Sequence, residues 1–300
     1  MENGSYSTRF SLSYLRLSLK SRLVLLLMRW LIRPYLAHIA RGGISRVARS
    51  QIAVAGRYPK GQRVADCEYD YWGEGERVMP GHTLGEPFKA SDSPVILWLH
   101  GGAFIFPAMP DGHLPFVNRL CRSLSASAFL PDYRLAPANP FPAALNDCES
   151  AYRLLLDAGV SPDRIVLGGE SAGGNLVVAL LYRIRKQGLP MPVCAIPVSP
   201  ALDMGRLNGA PPRFLNVKKD VMLSPGVLFR IRDWYVGESD SANPEVSPLM
   251  GECSGLPPLL ITASTAELLC DDSVLFARKA SKAGVKTELA LWPLMPHAFP

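Results

Sequence analysis

Ser171 is the residue with the most chemistry around it. It sits in Gly169-Glu170-Ser171-Ala172-Gly173, a G-x-S-x-G pattern, after the apolar run Ile165–Leu167 and before the apolar segment Leu176–Leu181. Strand, glycine-flanked serine and helix in that order describe a turn so tight that side chains two before and two after would collide. Such a turn strains the serine backbone and projects its hydroxyl. The bland reading is a glycine-rich turn with a capping serine, so a base and an acid must be found before the hydroxyl counts as a nucleophile. Among the five histidines, His38 lies in a basic segment, His82 and His113 stand beside glycines, and His100 opens a glycine loop. His297, after the last expected strand, is the candidate base. Glu267, Asp271 and Asp272 follow the strand before it, and Asp203 follows an earlier one. Glu267 lies nearest its strand end, while Asp271 and Asp272 suit the start of a helix, where acids complement the dipole. The acid is therefore Glu267, with Asp271, Asp272 and Asp203 as alternatives. His100-Gly101-Gly102-Ala103-Phe104 follows the strand Pro94–Leu99, and two glycines there suggest backbone N–H groups brought close to a developing oxyanion. His100 itself suits holding that loop by a hydrogen bond.

Placing these residues requires strands whose ends meet. Apolar runs predict strands over Arg63–Trp72, Val78–Leu84, Pro94–Leu99, Ser127–Pro131, Val193–Val198, Pro258–Ala263 and Lys286–Trp292, beside Ile165–Leu167. Helices are expected over Leu114–Ser125, Ala143–Ala158, Gly226–Val236 and Asp271–Ala283. This alternation gives an α/β fold with a mostly parallel sheet flanked by helices. Reacting groups then gather beyond the C-terminal strand ends. The irregular stretch Ser199–Pro225 has the length of a lid or binding loop.

Composition narrows the classes further. The chain has 300 residues, 48% hydrophobic and 19% charged, as a globular protein does. Its six cysteines lack metal-type spacing and read as thiols in a reducing compartment, the cytoplasm. Residues 1–57 carry ten Lys/Arg and one acid, a net +9 within a total of +6, so the remainder is −3. Basicity confined to one end argues against a nucleic-acid groove. Phe10–Ile39 looks helical, with Leu15, Leu19, Leu23, Leu26 and Trp30 at spacings of three and four. Its one unbroken apolar run, Leu23–Met28, is too short for a spanning helix, and a signal peptide also fits badly. The expectation is a helix packing its apolar face over the active site, with peripheral contact to an anionic membrane as the alternative.

Several ordered motifs carry a resemblance. His100–Phe104, Tyr133–Pro137 with Phe141–Asp147, Ser161–Asn175 and Met295–Phe299 resemble the hormone-sensitive-lipase-like carboxylesterases of the α/β-hydrolases. The likeness runs from about Val64 to the C-terminus. It implies Ser171 as nucleophile, His297 as base, Glu267 as acid by position, and an oxyanion hole from the N–H groups of Gly101, Gly102 and Ala172. It also implies a catalytic body over 58–300, capped by residues 1–57 and by an insertion at about 201–236. Uncharged esters with short to medium acyl chains are the implied substrates, with no cofactor and no metal. An amidase, deacetylase or dehydratase on the same scaffold, or a non-catalytic small-molecule receptor, are the alternatives, and a homodimer is left open. The chain departs from the family in Glu170, where many relatives have Asp, and in Glu267-Leu268-Leu269-Cys270-Asp271-Asp272, where the motif is often D-P-L-R-D-E. Relatives usually continue past the base with a helix, whereas three residues follow His297; the expectation is a shortened sequence or a weakly held histidine loop.

Overall fold

The computed structural model describes residues 17–55, 67–74, 77–85, 88, 92–109, 111–205 and 214–299. Helices α1 (Leu19–Leu27), α2 (Arg33–Arg41) and α3 (Gly43–Ala55) come first, then strands β1 (Cys67–Glu74), β2 (Arg77–Leu84) and β3 (Val95–Leu99). From there strands and helices alternate: α4 (His113–Leu124), β4 (Ser127–Pro131), α5 (Ala143–Asp157), β5 (Ile165–Glu170), α6 (Ala172–Lys186) and β6 (Cys194–Val198). The helix α7 (Pro225–Val236) lies between β6 and β7 (Leu259–Ser264), and α8 (Cys270–Lys282) and β8 (Thr287–Trp292) complete the order. The eight strands form one sheet in the order β1-β2-β4-β3-β5-β6-β7-β8. Only β1–β2 and β2–β4 pair antiparallel; the other five pairs are parallel.

Burial explains the arrangement. Every residue of β3 and β4 is buried, as strands covered on both faces require. The central helix α6 is buried from Ala172 to Ile184. Its close seat on the sheet depends on glycine: a Cβ on Gly173, in its first turn, would collide with the backbone of β3 at Leu99. The expected strands and helices appear with shifts of a few residues; positions 63–66 of the first strand lie outside the described residues.

The N-terminal expectation needs correction. Leu19–Arg41 is one continuous helical stretch of 23 residues, with a π-helical turn at Met28–Ile32, and by length and composition it could cross a membrane. Judging it by its longest unbroken apolar run undercounted it, because Arg29 and Arg33 interrupt the run without interrupting the helix. Nor does its apolar face pack over the active site. Leu19, Leu23, Leu26 and Trp30 are exposed, and only the far end is buried, at Ile39 and Ala40. Leu15 lies outside the described residues. The sequence also gave no warning of α3, whose Val47 joins Ile39, Ile105, Phe106 and Ala136 in a small core of its own.

Candidate active site

Ser171 lies between β5 and α6 with φ 58° and ψ −114°, a region that a side chain occupies only under constraint. The constraint comes from its neighbours. A Cβ on Gly173 would stand 1.9 Å from the Leu99 carbonyl oxygen, and one on Gly169 would stand 2.5 Å from the same atom. The Ser171 N–H donates to the Val198 carbonyl at 2.8 Å, which fixes the turn against β6.

The loop after β8 brings His297 to it. Ser171 Oγ donates to His297 Nε2 at 2.8 Å, and His297 Nδ1 donates to Glu267 Oε2 at 2.5 Å. Both partners are almost wholly buried. The other Glu267 oxygen accepts from Ser199 Oγ at 2.9 Å and from the Ser264 N–H at 2.7 Å, so the carboxylate is held from three sides. Burial pushes the His297 imidazole toward its neutral form. The hydrogen bond and charge of Glu267, with the charges of Asp220 and Glu170, outweigh burial and leave its pKa above the ordinary value.

The histidine loop is anchored. Ser264 Oγ donates to the Met295 carbonyl at 2.6 Å, and the Ala298 N–H donates to Ser199 Oγ at 3.2 Å. Ser199 thus touches both the acid and the base loop, a role nothing in the sequence signalled.

The competing acids lie elsewhere. Asp272 accepts from the Leu202 and Asp203 N–H groups at 2.8 and 3.1 Å, tying α8 to the segment after β6. Asp271 stands in the first turn of α8. Asp203, like Asp272, borders the cavity beside Ser171. Glu267 is the carboxylate on the imidazole.

The glycine loop requires one correction. The Gly101 N–H donates to Glu170 Oε1, so it is not available to an oxyanion. Glu170 also accepts from Trp98 Nε1 at 2.7 Å and from His113 Nε2 at 2.8 Å. The Met109 N–H donates to His113 Nδ1 at 2.7 Å, which leaves the His113 proton on Nε2, facing the carboxylate. Burial raises the Glu170 pKa, but His113, the Gly101 N–H and His100 outweigh it and hold the carboxyl below its ordinary value. The residue beside the nucleophile is therefore the anchor of the glycine loop, which the motif alone did not reveal.

Beyond Gly101 the backbone turns sharply, with Gly102 at φ 119°, Ala103 at 59° and Phe104 at 60°. Among the described residues, the Gly102 and Ala103 N–H groups have no protein acceptor, and the Ala172 N–H is an unpaired donor at the start of α6. Sequence reasoning passed over Ala103; the run of left-handed residues that turns the loop there is invisible in residue types. His100 does hold the loop as expected, through a 2.7 Å bond from Nδ1 to the Gly101 carbonyl. It stacks on Tyr133 at 4.1 Å, and burial drives its pKa down to about 3.

A cavity opens beside Ser171, Ala172 and Ala103, walled by Phe104, Met204, Leu223, Leu228, Ile231 and Leu269. Most of its lining is apolar, with Asp203 and Asp272 also on the wall.

Known proteins resemble this chain over most of its length. A family model described as the alpha/beta hydrolase fold matches residues 96–300. An acetyl-hydrolase of Streptomyces hygroscopicus is 35% identical over 227 residues, 75% of this chain and 75% of that protein. An esterase of Acinetobacter venetianus is 35% identical over 218 residues, 72% of this chain and 71% of that protein. The crystal structure of a hormone-sensitive lipase from a metagenome library is similar at TM-score 0.77 and 34% identity, covering 93% of this chain and 89% of that one. An esterase from the bacterial hormone-sensitive lipase family reaches TM-score 0.79 at 30% identity, covering 95% and 91%.

Proposed function

The chain belongs to the hormone-sensitive-lipase-like branch of the α/β-hydrolases and is a carboxylesterase; on that premise we propose that it cleaves uncharged short- to medium-chain acyl esters through Ser171, His297 and Glu267 by way of an acyl-enzyme. The observation that carries this reading is the unbroken relay from Ser171 Oγ through His297 to Glu267, at 2.8 and 2.5 Å.

In the first half-reaction His297 Nε2 takes the Ser171 proton as Oγ attacks the ester carbonyl. The carbonyl oxygen becomes an oxyanion, received by the N–H groups of Gly102, Ala103 and Ala172. His297 then hands its proton to the departing alcohol, leaving the acyl group on Ser171. Water, deprotonated by the same imidazole, attacks the acyl carbon; the acid leaves and the hydroxyl regains its proton. Glu267 keeps the His297 proton on Nδ1 and stabilises the imidazolium. The insertion at about 201–236 acts as the cap, since Leu223, Leu228 and Ile231 wall the cavity at Ser171.

Two measurements on the purified protein test this. A fluorophosphonate probe should label Ser171, located by peptide mapping, and nitrophenyl esters of rising chain length should be hydrolysed with a short-chain optimum. Ser171→Ala should lose about 10⁴–10⁶ in kcat with unchanged melting temperature. Equal activity in both proteins would sink the mechanism.

A further inference from the structure

The stretch Leu19–Arg41 is turned inside out compared with an ordinary water-facing helix. Such a helix shows charge to solvent and apolar residues to the core. Here Leu19, Leu23, Leu26, Leu27, Trp30 and Leu31 are exposed, Leu19 to 87% and Trp30 to 72%. Arg29 and Arg33 turn toward the protein instead. Arg29 donates to the carbonyls of Lys218 and Lys219 at 2.6 and 3.2 Å, and Arg33 donates to those of Asp220 and Val217 at 2.9 and 3.0 Å. Six large apolar side chains on one short helical stretch mark an interaction surface.

Charge identifies the occupant. Residues 17–55 contain seven Lys/Arg and no Asp or Glu. Of these, Lys20, Arg22, Arg41 and Arg49 are exposed, and so are Lys218 and Lys219, beside Arg29. An apolar strip bordered by cations, with no acid on the same segment, matches acyl chains under anionic headgroups. A second copy of this chain docking face to face would bring the same cations against each other, because a two-fold contact pairs a surface with itself. A spanning orientation would strip Arg29 and Arg33 from four carbonyl acceptors and pull Ile39 and Ala40 out of the core.

We propose that α1 and the π-helical turn lie flat on an anionic membrane, with Leu19, Leu23, Leu26, Leu27, Trp30 and Leu31 among the acyl chains. The docked face then sits one layer behind the catalytic loops. Arg33 holds Asp220, whose carboxylate accepts from the Leu268 N–H at 2.8 Å, next to Glu267. Gln51 of α3 donates to the carbonyls of Ile105 and Ala136 at 2.8 and 2.9 Å, behind the glycine loop. This inference does not rest on the ester chemistry.

The test is sedimentation of the full chain with phosphatidylglycerol/phosphatidylcholine vesicles and with phosphatidylcholine alone. Binding is expected to the first at about 50 mM salt, falling about tenfold or more at about 500 mM. Acyl chains carrying bromine should quench tryptophan emission, and the quenching should vanish in Trp30→Phe. The double variant Leu26→Glu with Trp30→Glu, at exposed positions, should bind about 100-fold less and hydrolyse soluble nitrophenyl acetate at the parent rate. Absence of binding to the anionic vesicles, or undiminished binding by the double variant, overturns the proposal. So does a dimer that the double variant dissociates, which assigns the face to a second copy, or resistance to alkaline carbonate extraction, which assigns a spanning helix. Failure of the esterase reading shows separately, as absent hydrolysis with binding intact.

Discussion

Glu267 and Glu170 are two buried carboxylates a short distance from one serine, and their donors set their tasks apart. Glu267 faces an imidazole proton, so Glu267→Gln should leave the fold intact and lower kcat by about 10³–10⁴, as when a triad acid becomes an amide. Asp272→Asn should instead act on stability, since that carboxylate holds the backbone at Leu202 and Asp203. Side-by-side kinetics and melting curves separate the two. The same contact sets the pH profile. Activity requires neutral His297, and Glu267 raises the imidazole pKa, so protonation shuts the enzyme down at a higher pH than an unperturbed histidine would. Removing the negative charge leaves burial as the dominant influence and should move the acid limb of kcat/KM to lower pH; an unmoved limb would contradict the assignment. Glu170 faces three donors, from Trp98, His113 and Gly101. Glu170→Gln turns an amide NH₂ toward at least one of them, at a cost of about 1–3 kcal/mol. Because the Gly101 anchor loosens, kcat should fall more than KM rises.

At the scale of elements, the β5–α6 turn works only because the glycines let α6 sit against β3. Gly173→Ala would drive its Cβ into the Leu99 carbonyl, 1.9 Å away, and backbone cannot yield as a side-chain tip can. We expect a loss of about 3 kcal/mol or more and no measurable turnover, read by denaturant unfolding and ester hydrolysis. The loop between β6 and α7 shows a subtler dependence. Asn216 Nδ2 donates to the Thr265 and Glu267 carbonyls, both at 3.0 Å, while Asp220 accepts from the Leu268 N–H. Arg33 holds the same segment from outside, at Val217 and Asp220. Arg33→Gln should therefore reach the triad through two layers and cut kcat/KM severalfold, with a loss of about 1–3 kcal/mol in unfolding free energy.

For the molecule as a whole, the N-terminal helices lie outside the stretch that the family model matches, residues 96–300, while the segment around α7 lies within it. Met204, Leu223, Leu228 and Ile231 wall the cavity beside Ser171, and in the proposed reaction they bound the acyl chain. Leu228→Ala should shift the optimum toward longer chains, by about tenfold in the ratio of kcat/KM for octanoyl over acetyl esters. An unchanged ratio would mean the acyl group lies elsewhere. Charge is divided along the same line: the basic segment is peripheral to a body that is net acidic. Attraction to an anionic surface would thus act on one face and orient the molecule.

Much of this was readable before any coordinates. Strand-forming runs, the glycine pair around Ser171 and the order of Ser171, Glu267 and His297 determined the sheet and the relay, because buried strands and tight turns demand particular residue types locally. Three matters were decided only in the folded chain. Glu170 claims the Gly101 N–H, which shifts the free donors to Gly102 and Ala103. Ser199 bridges the loops of acid and base. Leu19–Leu31 turns its apolar side chains outward while its arginines seek carbonyls nearly 190 positions away. Each depends on partners distant in sequence, and periodicity states that a helix has two faces but not which one the rest of the molecule will take.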